Sequence, residues 1–182
     1  MAVSVFRAHA AHFVVFGLPM LALVGAIGWQ ELRARWTPHT ATAPAPEPGS
    51  VGLRTAAWGL VIAAFIHAFV VPAHFRASAL YGAFFTVLAV VQVACAWRIA
   101  GTPGRALVRA IAISSACVVV LWLVSRTTGL PVGPTPWRPE GFGAADEISS
   151  ALEALTVWGC WIALHPLAAR RGIEGSRSVV AR

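Results

Sequence analysis

His67 and His74 stand seven residues apart, and so do Asp146 and Glu153, all within or at the ends of strongly apolar segments. Ionisable side chains are costly in such surroundings. A charge near a bilayer centre is unfavourable by at least about 2.5 to 3.5 kcal/mol, so these residues are expected to face a protein interior and to mark a functional site. Imidazole and carboxylate together suit zinc, iron or copper(II), and a row of them also suits proton relay or the handling of a small solute. The same groups serve equally as an internal salt-bridge and capping network, with Asp146 as a first-turn acid at the positive end of a helix.

Seven residues make nearly two helical turns, which puts Asp146 and Glu153 on one face about 10 Å apart along the axis. Ser149, Ser150 and Thr156 extend that stripe. His67 shares a face with Gly59 and Ala63, and His74 follows Pro72 at the end of its segment. Counted inward from one surface, His67 and Glu153 fall about two turns deep, while His74 and Asp146 fall near the mouth. Adjoining helices would align them as a descending double row. The expected metal ligands are therefore His67, His74, Asp146 and Glu153, with His9, His12 and Glu140 as further candidates. Four of the seven acidic residues, Glu140, Asp146, Glu147 and Glu153, lie in one 14-residue stretch, near Arg126 and Arg138. Gln92 is expected to hydrogen-bond between helices, since buried amides need partners in lipid.

The elements that must position these residues are helices. The chain has 182 residues, 58% hydrophobic and 12% charged, and its mean hydropathy is +0.72. That composition belongs to the membrane class. Runs at 8–30, 55–73, 78–98, 106–125 and 147–168 each approach the roughly 20 residues of a spanning helix, and hydrocarbon leaves no water to satisfy an open backbone. The predicted fold is an all-α polytopic transmembrane bundle of five spanning helices, or four if the first run is cleaved as a signal peptide after Ala26-Ile27-Gly28. Pro19 is expected to kink that first helix.

Residues 31–54 form a Pro-rich cytoplasmic linker, residues 55–168 a four-helix bundle with a Pro/Gly-rich outer loop at 126–145, and residues 169–182 a basic tail. All 14 basic residues are arginine. With the amino terminus extracytoplasmic and the carboxyl terminus cytoplasmic, ten fall inside and four outside (Arg7, Arg76, Arg126 and Arg138), which is the positive-inside bias. Trp29, Trp36, Trp58 and Trp97 would ring the inner interface, and Trp122 and Trp137 the outer one. Because the arginines sit at the ends of apolar runs and form no single patch, the net charge of +7 points to membrane topology and not to nucleic acid. Cys95, Cys117 and Cys160 lie in separate runs without CxxC spacing and read as packing residues.

The segment Ser125-Arg126-Thr127-Thr128-Gly129-Leu130-Pro131-Val132-Gly133-Pro134, with Glu140, Gly143, Asp146 and Glu153 after it, resembles a pattern in small multi-pass membrane proteins of high-GC actinobacteria. His67, His74-Phe75, Gly82, Phe84-Phe85 and Gln92 extend the resemblance over roughly residues 60–160. It implies a helical membrane fold and brings no reaction with it. HExxH, GxSxG, phosphate-binding glycine loops and paired histidine clusters do not occur, so an enzyme is not the favoured reading. Three functions remain: binding of a transition metal ion (zinc, copper or iron) from the extracytoplasmic side, an accessory role beside other membrane subunits in the lipid bilayer, or proton or small-solute handling through the same polar row. Only Met1 and Met20 are available as thioethers, which argues against a copper(I) path. A b-type haem would need His12 opposite His67 or His74.

Overall fold

Long stretches rich in Ala, Leu, Val and Ile, broken only by Ser78, by Gly101-Thr102-Pro103-Gly104 and by the Pro/Gly segment after Thr127, fold into four helices in a computed structural model that describes residues 45–165. They are α1 (Val51–Ala77), α2 (Ala79–Ala100), α3 (Arg105–Thr127) and α4 (Ala144–Leu164). The described residues contain no strand. The first apolar run, with His9 and His12, and the basic tail lie outside them. Three helices, α1, α2 and α3, are long and apolar enough to cross a membrane. The fourth is not among them, and it carries Asp146, Glu147 and Glu153. Five spans are therefore not all matched by helices of that kind.

Helix α1 begins at Val51, so the last four residues of the expected linker are helical. It also runs through Pro72 to Ala77. His74 accordingly sits in the last turn of the helix and not beyond it. Ser78 alone separates α1 from α2; its N–H donates to the His74 carbonyl at 2.8 Å, and its own carbonyl accepts from Gly82 N–H at 3.1 Å. Gly82 makes this reversal fit, because a Cβ there would collide with the Phe75 ring.

In sequence α1 precedes α2, yet it packs against both α2 and α4, while α3 packs against α4 and touches α2 only sparsely. The α1–α4 crossing is built from small residues. A Cβ on Gly52 would lie 2.6 Å from the Gly159 carbonyl oxygen and 2.7 Å from the Ala163 nitrogen, and one on Gly159 would lie 2.7 Å from the Gly52 carbonyl oxygen. Here backbone meets backbone, as small-residue helix pairs allow. Inward of the polar residues, Leu53, Leu60, Ile99, Val108, Ile111 and Cys160 join one apolar core. Arg105 closes that end by donating from Nη2 to the Leu164 carbonyl at 2.9 Å, a cation on a helix C-terminus.

The outward faces are apolar. Trp58, Phe65, Phe69, Val90, Trp97, Ile113, Val120, Ile148, Trp158 and Trp161 are all exposed. So broad an apolar surface is a liability in water and ordinary in lipid.

Candidate functional site

The end of the bundle that carries His74 and Asp146 is built differently from the opposite end. There the loop between α3 and α4 packs against both α2 and α3. Leu130 and Val132 of that loop are buried against Leu80, Tyr81, Phe84 and Leu121. Tyr81 Oη donates to the Val132 carbonyl at 3.1 Å. The loop is stapled further by Trp137 N–H to the Leu130 carbonyl (2.7 Å) and by Glu140 N–H to the Ser125 carbonyl (3.0 Å). Gly129 has φ +74°, and a Cβ there would meet the Arg138 backbone at 2.5 Å, so only glycine fits.

Beneath this loop lies a cavity of about 80 Å³, lined by His67 and His74 of α1, Tyr81 and Phe85 of α2, Trp122 and Arg126 of α3, Glu140 of the loop and Asp146 and Ser150 of α4. That volume holds several waters or a small hydrated ion. Polar groups and aromatic faces share its walls. The Phe85 ring lies 4.1 Å from the His74 ring and 5.4 Å from the His67 ring, centre to centre.

The two histidines are held alike. His74 Nδ1 lies 2.9 Å from the Val70 carbonyl oxygen. A carbonyl only accepts, so Nδ1 carries the proton and Nε2 of the neutral ring keeps its lone pair. His67 Nδ1 lies 2.9 Å from Gln92 Oε1, and Gln92 Nε2 in turn donates to Glu153 Oε1. Nε2 of neither ring makes a hydrogen bond among the described residues.

Glu153 is 1% exposed and lies deep in the bundle. It does not line the cavity. Ser115 of α3 stands beside its carboxylate, while Oε2 is buried without a hydrogen bond. Asp146 and Glu140 are committed to Arg126, whose Nη2 donates to Asp146 Oδ2 at 2.6 Å and whose Nη1 donates to Glu140 Oε2 at 2.8 Å. The Arg126 side chain is only 7% exposed. Its Nε and the Trp122 Nε1 are both buried without a partner beside the cavity.

The residues singled out by polarity and spacing are thus distributed over two tiers. His67, His74, Asp146 and Glu140 share the cavity wall, and Glu153 lies behind it, joined to His67 through Gln92. Among the described residues no three His, Cys, Asp or Glu side chains converge as a closed metal shell. His9 and His12 lie outside the described residues. A comparison with family models, curated proteins and solved structures finds no match.

Arg126, which the sequence places near the acidic stretch as a residue that could neutralise part of its charge, is the hub of the site's ion pairs. The two acids within 20 residues of it were the available signal. Trp122 turns its indole toward Phe142, with ring centres 6.1 Å apart in an edge-to-face arrangement. Trp58 and Trp97 are exposed near the opposite end, where interfacial tryptophans belong.

Proposed function

We propose that this chain is a multi-pass membrane protein of five spans, with an extracytoplasmic amino terminus and a cytoplasmic carboxyl terminus, that binds a transition metal ion in its outer cavity through Nε2 of His67 and His74. Zinc, copper(II) and iron(II) are the ions such nitrogens suit. The observation that carries the reading is the engagement of both Nδ1 atoms by protein acceptors. Metal-binding histidines are held in that way, with the second nitrogen oriented by an outer partner. Two imidazoles leave positions open to water, which suits delivery or transport more than permanent storage. Asp146 and Glu140 lend negative charge to the mouth while Arg126 holds them. Inclusion of α4 among the spans is supported by its exposed Ile148, Leu155, Trp158 and Trp161, with Glu153 turned inward. Kinship with the small actinobacterial membrane proteins belongs to the same proposal and rests on the Ser125–Pro134 segment.

The Arg126 bridge from α3 to the loop and to α4 favours a second reading, an accessory subunit whose polar residues only join elements. Elemental analysis of detergent-purified protein after equilibration with zinc separates the two. Stoichiometric metal in the wild type and its loss in a folded His67→Ala protein are expected. Equal metal content in both, with lowered thermal stability in the variant, would overturn the metal reading in favour of the structural one.

A further inference from the structure

We infer that Gln92 and Glu153 are positioning residues that fix the tautomer of His67 and so set which nitrogen the cavity receives. The inference rests on the proposed use of His67 as a ligand only for its functional consequence; the tautomer itself follows from the hydrogen bonds.

The chain of bonds has one polarity. Gln92 turns Nε2 toward Glu153 Oε1, which accepts the bond. Its carbonyl oxygen is then the atom that faces His67. That oxygen accepts, so His67 Nδ1 must hold the proton, and the lone pair is placed on Nε2. Three helices contribute one residue each: His67 from α1, Gln92 from α2 and Glu153 from α4. All three are buried, at 3%, 4% and 1% exposure, so water does not compete for these bonds. His74 reaches the same tautomer by a local route through the Val70 carbonyl. Its orientation is therefore independent of Gln92 and serves as an internal reference.

The consequence is chemical. With the proton on Nδ1, His67 offers the cavity a donor pair for a cation. With the proton on Nε2, it would offer an N–H and repel one. Glu153→Gln removes the constraint, because an amide can donate or accept and lets Gln92 face either way.

The experiment is nitrogen-15 NMR of histidine-labelled, detergent-purified full-length protein without metal, with the His67 signals assigned by their loss in His67→Ala. The wild type is expected to show Nδ1 protonated and Nε2 bare at both His67 and His74. In Glu153→Gln, which keeps side-chain volume, and in Gln92→Leu, the His67 signals are expected to shift toward the Nε2–H form while those of His74 stay unchanged. Zinc affinity is expected to fall about 10- to 100-fold in both variants, the usual loss when an outer partner of a metal ligand is removed. A wild-type His67 protonated on Nε2 would overturn the inference, as would a His67 tautomer unchanged in Glu153→Gln. Because the tautomer is read without metal, a wild type that shows the expected tautomer but binds no zinc would defeat the metal reading and leave this inference standing.

Discussion

Arg126 concentrates the outer site's ionic interactions in one side chain. It reaches a loop acid and a helix acid at once, and it is better buried than either of them, Glu140 being 39% and Asp146 30% exposed at the side chain. Solvent screens the carboxylates, which keeps the stabilisation modest. Arg126→Ala is expected to lower stability by about 1 kcal/mol and to speed hydrogen exchange of the loop between α3 and α4 more than that of the helices, measured by mass spectrometry in detergent. Uniform exchange across loop and helices would show that Arg126 does not hold the loop. At this scale the sequence was partly legible. Polarity inside apolar runs picked out His67, His74, Asp146 and Glu153, and helical periodicity matched their depths. Their partners were not legible, because a hydrogen bond from Gln92 to Glu153 spans 61 residues and spacing within one helix says nothing of rotation between helices. Glu153 accordingly reads as a ligand in the sequence and lies behind the cavity wall in the structure.

The pairing of α1 with α4 sets the site's geometry, since it brings His67 and the Glu153 carboxylate to the same Gln92 amide. Gly52, Ala56 and Gly59 on one helix and Thr156 and Gly159 on the other make this approach feasible. Gly159→Leu is expected to separate the helices, abolish stable folding in detergent and remove any metal binding with it. Gly141→Ala, where a Cβ meets nothing within 4 Å, is expected to be neutral. Size-exclusion profiles and thermal melts compare the two, and a well-folded Gly159→Leu protein would contradict the close crossing. The helices themselves were legible from runs of apolar residues, though α1, α2 and α3 are longer than their runs: α1 extends to Val51 and Ala77, because helix ends reach past the hydrophobic stretch into residues that need only backbone bonds. Pro72 suggested an early end to α1. The helix nonetheless continues through it to Ala77, at the loss of the one backbone bond that residue 72 would donate to the Ala68 carbonyl.

The whole molecule is polarised along its helices. An apolar core built around Leu53, Val108, Ile111 and Cys160 closes one end, and a cavity with two histidines opens toward the other. Among the described residues this arrangement describes a pocket reached from one side and not a path through the bundle. The exposed apolar belt matches a bilayer. Composition made the membrane class legible at once. The pocket was not legible, because it depends on a Pro/Gly loop packing against both α2 and α3, which is not local in sequence. Cobalt(II) titration of detergent-purified protein, followed by visible absorption, tests the central claim most directly, because the ligand-field bands report the ion's coordination and their loss in histidine variants assigns its ligands. The wild type is expected to give a saturable ligand-field spectrum that disappears in both His67→Ala and His74→Ala and on acidification, since a protonated imidazole has no lone pair to donate. Identical cobalt spectra in the wild type and in folded His67→Ala and His74→Ala proteins would contradict it.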